Sequence, residues 1–255
     1  MGKLDNKVAL ITGGGKGGGI GYGISTAFAK EGCNLVITGR NLKKMEDAKE
    51  ELERLYGIKV LWVQADGGEE DQVQGVVKKA MDTFGRIDVL VNNAQNSKSG
   101  LMLIEHTKED FDAAIISGLY ATFFYMKAAF PYLKETEGSV VNFASGAGIA
   151  GRLGQSSYAA AKEGIRGLTR VAANEWGQFN INCNIVCPLV MTKQLEIWKE
   201  SNPELFAQTI HSIPMNRFGD AEKDIGRVCV FLASDDASYI SGETITVQGG
   251  SGLRP

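Results

Sequence analysis

This chain has little of the material that metal, disulfide or polyelectrolyte chemistry needs. Of 255 residues only two are His and four are Cys. Cys33, Cys183, Cys187 and Cys229 are scattered with no CxxC pair, which excludes the usual zinc spacings, so no metal is expected. The thiols read as buried and free, as in a reducing compartment. Charge of neither sign dominates: 27 Lys and Arg stand against 30 Asp and Glu, a formal net charge of −3. That leaves no broad cationic field for nucleic acid or an anionic membrane. No apolar run approaches the roughly 20 residues that span a bilayer. The opening MGKLDNKVALIT lacks the basic region, apolar stretch and cleavage site of a signal peptide. These absences point to a cytoplasmic protein acting on a small molecule, with no nucleic-acid or membrane partner.

What is present is a regular alternation. Runs rich in β-branched residues recur at Lys7–Thr12, Asn34–Thr38, Ile58–Gln64, Ile87–Val91, Ser139–Ala144, Ile181–Cys187 and Glu243–Val247. Helical periodicity fills 21–31, 41–56, 69–84, 107–134, 155–178 and 220–234. Strand alternating with helix predicts an α/β fold: a doubly wound, seven-stranded parallel sheet of Rossmann type with helices on both faces. No linker, repeat or low-complexity tract divides it, so 1–255 reads as one dinucleotide-binding catalytic domain. Only 189–216 departs from the alternation, and it reads as a substrate lid of two short helices.

Thr12 to Gly23 runs TGGGKGGGIGYG, directly after the first strand and into the first helix. In that setting glycines admit a tight turn and close approach to a pyrophosphate, and the helix N-terminus offers unpaired N–H groups. The end of the second strand, where an acid would grip the ribose 2′-hydroxyl of NAD, carries Gly39 and then Arg40. A guanidinium in place of a carboxylate favours a 2′-phosphate, hence NADP(H) over NAD(H), with Lys16 offering further charge.

YAAAK at 158–162 sets Tyr158 and Lys162 on one helix face. A nearby cation is expected to lower the phenol's pKa so that Tyr158 can exchange a proton with a substrate oxygen. Ser145 lies at the C-terminal end of the fifth strand, where open sheets present ligand-binding groups. The same pattern occurs on ordinary helix surfaces, and Lys16 and Arg40 also read as solvated residues.

Taken together, these segments resemble the short-chain dehydrogenase/reductase family along essentially the whole chain. The matching features are the glycine turn, Asp66 after the third strand, NNA at 92–94, Ser145, YxxxK, Pro188 with Thr192, and QGG at 248–250. The resemblance implies that Asp66 meets the adenine amino group and that Asn92 and Ala94 line the adenosine side. Tyr158 and Lys162 then flank the nicotinamide ribose, beside Pro188, Val190 and Thr192 at the carboxamide. Asn93, Asn142 and Pro188 have structural alternatives as strand braces, a satisfied buried amide and a strand end.

Three departures stand out. The glycine loop is longer than usual and resembles that of enoyl-acyl-carrier-protein reductases, with Gly13, Gly19, Ile20, Gly23 and Ile24 in register. The YxxxK spacing nevertheless implies carbonyl/alcohol chemistry. Gln95 and Leu189 replace glycines near the nicotinamide, and Gly118 stands where the family places a relay Asn, leaving water, Ser117 or nothing in that role. The expected activity is NADP(H)-dependent interconversion of a secondary alcohol and a ketone. The apolar lid, with Leu189, Leu195 and Trp198, suits a bulky substrate contacted also by Gln95, such as a hydroxysteroid or bile acid. The GSGLRP ending is similar to some such enzymes. Alternatives are a 3-oxoacyl thioester reductase, a sugar or polyol dehydrogenase, and a cofactor-binding regulatory or scaffold protein. Apolar residues Phe123, Phe124, Tyr125, Leu168 and Val171, read as outward-facing, suggest a homotetramer.

Overall fold

The computed structural model describes residues 2–252, so the last three residues of the GSGLRP ending lie outside the described residues. Seven strands, β1 (Val8–Thr12), β2 (Asn34–Gly39), β3 (Val60–Gln64), β4 (Val89–Asn92), β5 (Ser139–Phe143), β6 (Asn182–Pro188) and β7 (Thr244–Val247), form one sheet. It is parallel throughout, in the order β3-β2-β1-β4-β5-β6-β7. The central strands are continuous aliphatic runs because helices cover both faces, and all five residues of β1 are buried.

The helices among the described residues are α1 (Ile20–Lys30), α2 (Leu42–Tyr56), α3 (Glu70–Phe84), α4 (Lys108–Ala114), α5 (Ala121–Thr136), α6 (Gly146–Ala150), α7 (Ser156–Trp176), α8 (Lys193–Ser201), α9 (Pro203–His211) and α10 (Arg227–Ala233). On one face Ile24, Phe28, Met45, Leu52 and Cys229 pack from α1, α2 and α10. On the other, Val73, Val77, Met126, Leu133 and Ala172 pack from α3, α5 and α7. Local signals set the helix ends. The Asn41 side chain caps α2 by accepting from the Lys44 N–H at 3.1 Å, and left-handed Gly57 and Gly85 close α2 and α3.

The helix expected over 107–134 is interrupted. Between α4 and α5 lies one turn of π register, Ile115–Tyr120, a local widening of the helix common at functional sites. By length and composition the stretch Lys108–Thr136 is apolar enough to cross a membrane, which corrects the expectation that no apolar run approaches that length. Tyr125, Met126, Ala129 and Leu133 are buried against the sheet, as in a core helix. Tyr125 therefore faces inward, contrary to its outward reading, while Phe123 and Val171 are exposed. All four cysteines are buried, and Cys33, Cys183 and Cys229 are free thiols.

Candidate active site

The strand order reverses direction between β1 and β4, and ligands of open α/β sheets bind at the carboxyl ends of strands at that point. A cavity of about 520 Å³ opens there, lined in part by Gly13, Arg40, Asp66, Asn92, Ala94 and Gln95.

Its floor is the glycine turn. Gly13 has φ +72°, and a Cβ on Gly21 would stand 2.2 Å from the Gly13 carbonyl oxygen. The start of α1 thus sits directly on the end of β1, a contact that motif spacing did not single out. Gly19 occupies the N-cap position of α1 with no side-chain cap, no acid follows in the first turn, and a Cβ there would meet nothing within 4 Å. Ile20 begins the helix and packs against the core. Free helix-terminal N–H groups beside an open cavity suit a pyrophosphate. A second fit to a nucleotide is Asn92: its Nδ2 donates to Asn142 Oδ1 at 2.9 Å, but its buried Oδ1 has no partner. A buried acceptor of that kind calls for a donor from whatever fills the cavity.

Arg40 and Asp66 face each other across the far end, with Arg40 Nη1 4.0 Å from Asp66 Oδ2. The structure turns Lys16 elsewhere, because its ammonium pairs with Glu51, which also accepts from the Tyr22 hydroxyl at 2.5 Å. The second cation lining the cavity is Lys44, whose Nζ lies 3.2 Å from where a Gly17 Cβ would be. Sequence reasoning missed Lys44, although it stands four residues after Arg40 in the first turn of α2, a turn that holds no acid. Cations at a helix N-terminus oppose the dipole unless an anion joins them.

The neighbouring asparagines are structural. Asn93 donates from Nδ2 to the Thr12 carbonyl at 3.0 Å, and the Thr12 hydroxyl accepts from the N–H groups of Asn93 and Ala94. Asn142 donates to the Thr169 hydroxyl at 2.9 Å.

Ser145 stands two residues beyond β5 and caps the short α6, accepting from the Ala147 N–H at 3.1 Å. Tyr158 and Lys162 lie in the first two turns of α7. Burial pushes the Tyr158 phenol above its ordinary pKa, and a hydrogen bond with Ser145 offsets part of the rise. Burial also pushes the Lys162 ammonium down, to about 7. Its Nζ donates to the Phe143 carbonyl at 2.7 Å and lies 5.6 Å from the Tyr158 ring centre. Burial thus opposes the charge on both groups, and Lys162 is not among the groups that lower Tyr158.

Outside the lining of that cavity, Pro188 ends β6 opposite Val247, and the Val190 side chain is buried in the core. The Thr192 hydroxyl caps α8 by accepting from the Leu195 N–H at 3.3 Å. Leu189, Leu195 and Trp198 pack against a cluster of Phe206, Ile213 and Phe218, with Trp198 and Phe206 ring centres 5.9 Å apart. These side chains of the lid are therefore engaged with one another, while Ile197, Leu205 and Met215 are exposed. Further exposed apolar surface lies near the start of α7. A bridge between Leu101 and Gln155 joins the loop after Gln95 to the start of α7, and Met102, Leu103, Ile104 and Leu153 are exposed on either side of it.

A phenol, a hydroxyl and a buried lysine gather between the carboxyl end of β5 and the first turns of α7. The chain belongs to the short-chain dehydrogenase/reductase family: residues 14–252 match the family model described as enoyl-(acyl carrier protein) reductase. It is 63% identical over 259 residues, all of both chains, to a 12α-hydroxysteroid dehydrogenase of a Clostridium species. Identity is 38% to a 3-oxoacyl-[acyl-carrier-protein] reductase of Thermotoga maritima, over 97% of this chain and 98% of that one. Among solved structures, levodione reductase superposes with a TM-score of 0.91 at 33% identity, covering 98% of each chain. The chain is an enzyme acting on CH–OH groups with a nicotinamide nucleotide, and it interconverts a secondary alcohol and a ketone.

Proposed function

We infer that this enzyme interconverts a 12α-hydroxysteroid and the corresponding ketone with NADP(H) preferred, through Ser145, Tyr158 and Lys162. The observation that carries the substrate is the 63% identity, end to end, to a 12α-hydroxysteroid dehydrogenase. The exposed ledge of Met102, Leu103, Ile104 and Leu153 adds an apolar surface for a fused-ring substrate, with the lid at 189–216 closing over it.

In the reducing direction the Tyr158 phenol gives its proton to the carbonyl oxygen, and in oxidation its phenolate takes the hydroxyl proton. The Ser145 hydroxyl donates a hydrogen bond to the same oxygen as negative charge develops. Lys162 anchors the helix turn beneath Tyr158 through the Phe143 carbonyl and holds the ribose. The nicotinamide, when bound, supplies or accepts the hydride at the substrate carbon. Gly13, Gly19 and Ile20 would cradle the pyrophosphate, Asp66, Asn92 and Ala94 the adenosine side, and Pro188, Val190 and Thr192 the carboxamide. Arg40 and Lys44 would hold a 2′-phosphate. Phe123 and Val171, exposed on α5 and α7, support a homotetramer, and the free thiols of Cys33, Cys183 and Cys229 suit the cytoplasm.

The test is turnover of the purified enzyme with NADP(H) and NAD(H). The panel holds 12α-hydroxysteroids, steroids hydroxylated at other positions, a 3-oxoacyl thioester and polyols. The 12α-hydroxysteroid with NADP(H) should give the highest kcat/KM; a higher value for the thioester would overturn the reading.

A further inference from the structure

Gly118 sits in the π turn Ile115–Tyr120 and is buried. A Cβ on it would stand 2.7 Å from Cδ of Gln95, 2.8 Å from Oε1 and 3.0 Å from Nε2. The space a side chain at 118 would enter is therefore occupied by the carboxamide of Gln95, reaching in from the loop after β4. Both polar atoms of that carboxamide are buried without a hydrogen-bond partner, although it carries two donors and an acceptor with two lone pairs. A buried polar group left unmet is unfavourable, so this side chain does more than fill volume. Ser117, the other polar candidate, is already engaged. Its hydroxyl accepts from the Asn96 N–H at 3.0 Å and stands within 2.5 Å of the Ala113 carbonyl and 2.8 Å of the Asn96 carbonyl. The next residue, Leu119, presses on α7 at Gly164, where a Cβ would be 2.8 Å from Leu119 Cδ2. Gly164 lies two residues beyond Lys162.

We propose that Gln95 is a positioning residue that takes over the place left empty at Gly118. Its carboxamide seats the π turn against α7 and holds polar solvent beside it, keeping the Tyr158–Lys162 pair aligned and in proton exchange with the cavity. Gln95 and Gly118 are then one functional unit: each requires the other, and neither can be exchanged alone. The idea rests on Tyr158 and Lys162 carrying the proton chemistry, but not on the identity of the steroid.

The experiment is a double-mutant cycle on the full enzyme, using the best secondary alcohol of the panel. Gly118→Asn alone must push the Gln95 side chain out, and Gln95→Gly alone leaves the place empty; each should lower kcat about tenfold or more and shift its pH profile. Gln95→Gly with Gly118→Asn should recover kcat to within about threefold of wild type. Gln95→Met keeps the volume without the amide. It should retain Tm and cofactor Kd yet lose kcat and shift the pH profile, which a packing role would not do. Multiplicative losses in the double variant, or a Gln95→Met enzyme with wild-type kcat and pH profile, would overturn the proposal. Failure of the steroid reading would appear instead in the wild-type substrate ranking. If wild type turns over no alcohol, the cycle is read in Tm and cofactor Kd, and additive effects there refute the coupling.

Discussion

Cofactor choice gives the sharpest numerical test, through Gly39→Asp combined with Arg40→Ala. A Cβ on Gly39 would find nothing closer than Met45 Sδ at 3.8 Å, so an acid fits there without displacing backbone and the perturbation is electrostatic. Arg40 is two-thirds exposed, its side chain at 67% relative accessibility. Its bond to a phosphate is therefore discounted from the ~1.5–3 kcal/mol of a charge-assisted hydrogen bond to about 1–2. A carboxylate about 4 Å from a phosphate adds roughly 1–3 kcal/mol of repulsion at surface-like dielectric. The sum, about 2–5 kcal/mol, is a fall in kcat/KM for NADP of about 30- to 4,000-fold. NAD should gain several-fold from one new hydrogen bond to its 2′-hydroxyl. Lys44→Ala alone should raise the KM for NADP about three- to tenfold, while Lys16→Ala, whose ammonium is held by Glu51, should leave it within about twofold. The assay is initial-rate kinetics with both nucleotides at constant ionic strength. Wild-type preference for NAD, or equal effects of the Lys16 and Lys44 variants, would refute the reasoning.

The contrast between those two lysines shows where the sequence was legible. Strand and helix positions follow from hydrophobic period, and period survives any tertiary arrangement that buries one face. The β-branched runs accordingly became β1 to β7, and the turn at Gly13 needs a positive φ that its residue type announces. Which way a flexible side chain points is a different matter. Lys16 and Lys44 look alike in sequence, and only the packing of the glycine turn on α2 places Glu51 beside one and the cavity beside the other. The lid followed the same pattern: its apolar residues were visible, but their choice between substrate and one another depended on Phe206 and Phe218 converging from separate segments. Tyr125 was misread because the π turn at Ile115–Tyr120 shifts the helical phase just before it. The pairing of Gln95 with Gly118 joins two departures that are 23 residues apart in sequence and meet only in three dimensions.

Tyr158→Phe should lower kcat by roughly 10²–10⁴-fold with little change in cofactor Kd; retention of full activity would remove Tyr158 from the mechanism. Light scattering should give a tetramer, and Phe123→Asp with Val171→Asp should dissociate it; a wild-type monomer at micromolar concentration would exclude that assembly. The last prediction concerns Lys162, whose pKa is depressed to about 7 in the folded, cofactor-free protein against about 10.4 unfolded. Between these values the unfolded state binds more protons, so this group's contribution to stability rises with pH and its penalty is fully present below pH 7. The slope approaches 1.4 kcal/mol per pH unit, or about 2–3 kcal/mol between pH 7 and 9. The buried thiols of Cys33, Cys183 and Cys229, raised by burial, act in the opposite direction at alkaline pH. Comparing wild type with Lys162→Met cancels them. The difference in unfolding free energy, measured by urea titration of the cofactor-free proteins, should move in favour of wild type as pH rises from 7 to 9. A difference independent of pH would mean that Lys162 stays charged when buried, and that Tyr158 has its cation even before the cofactor binds.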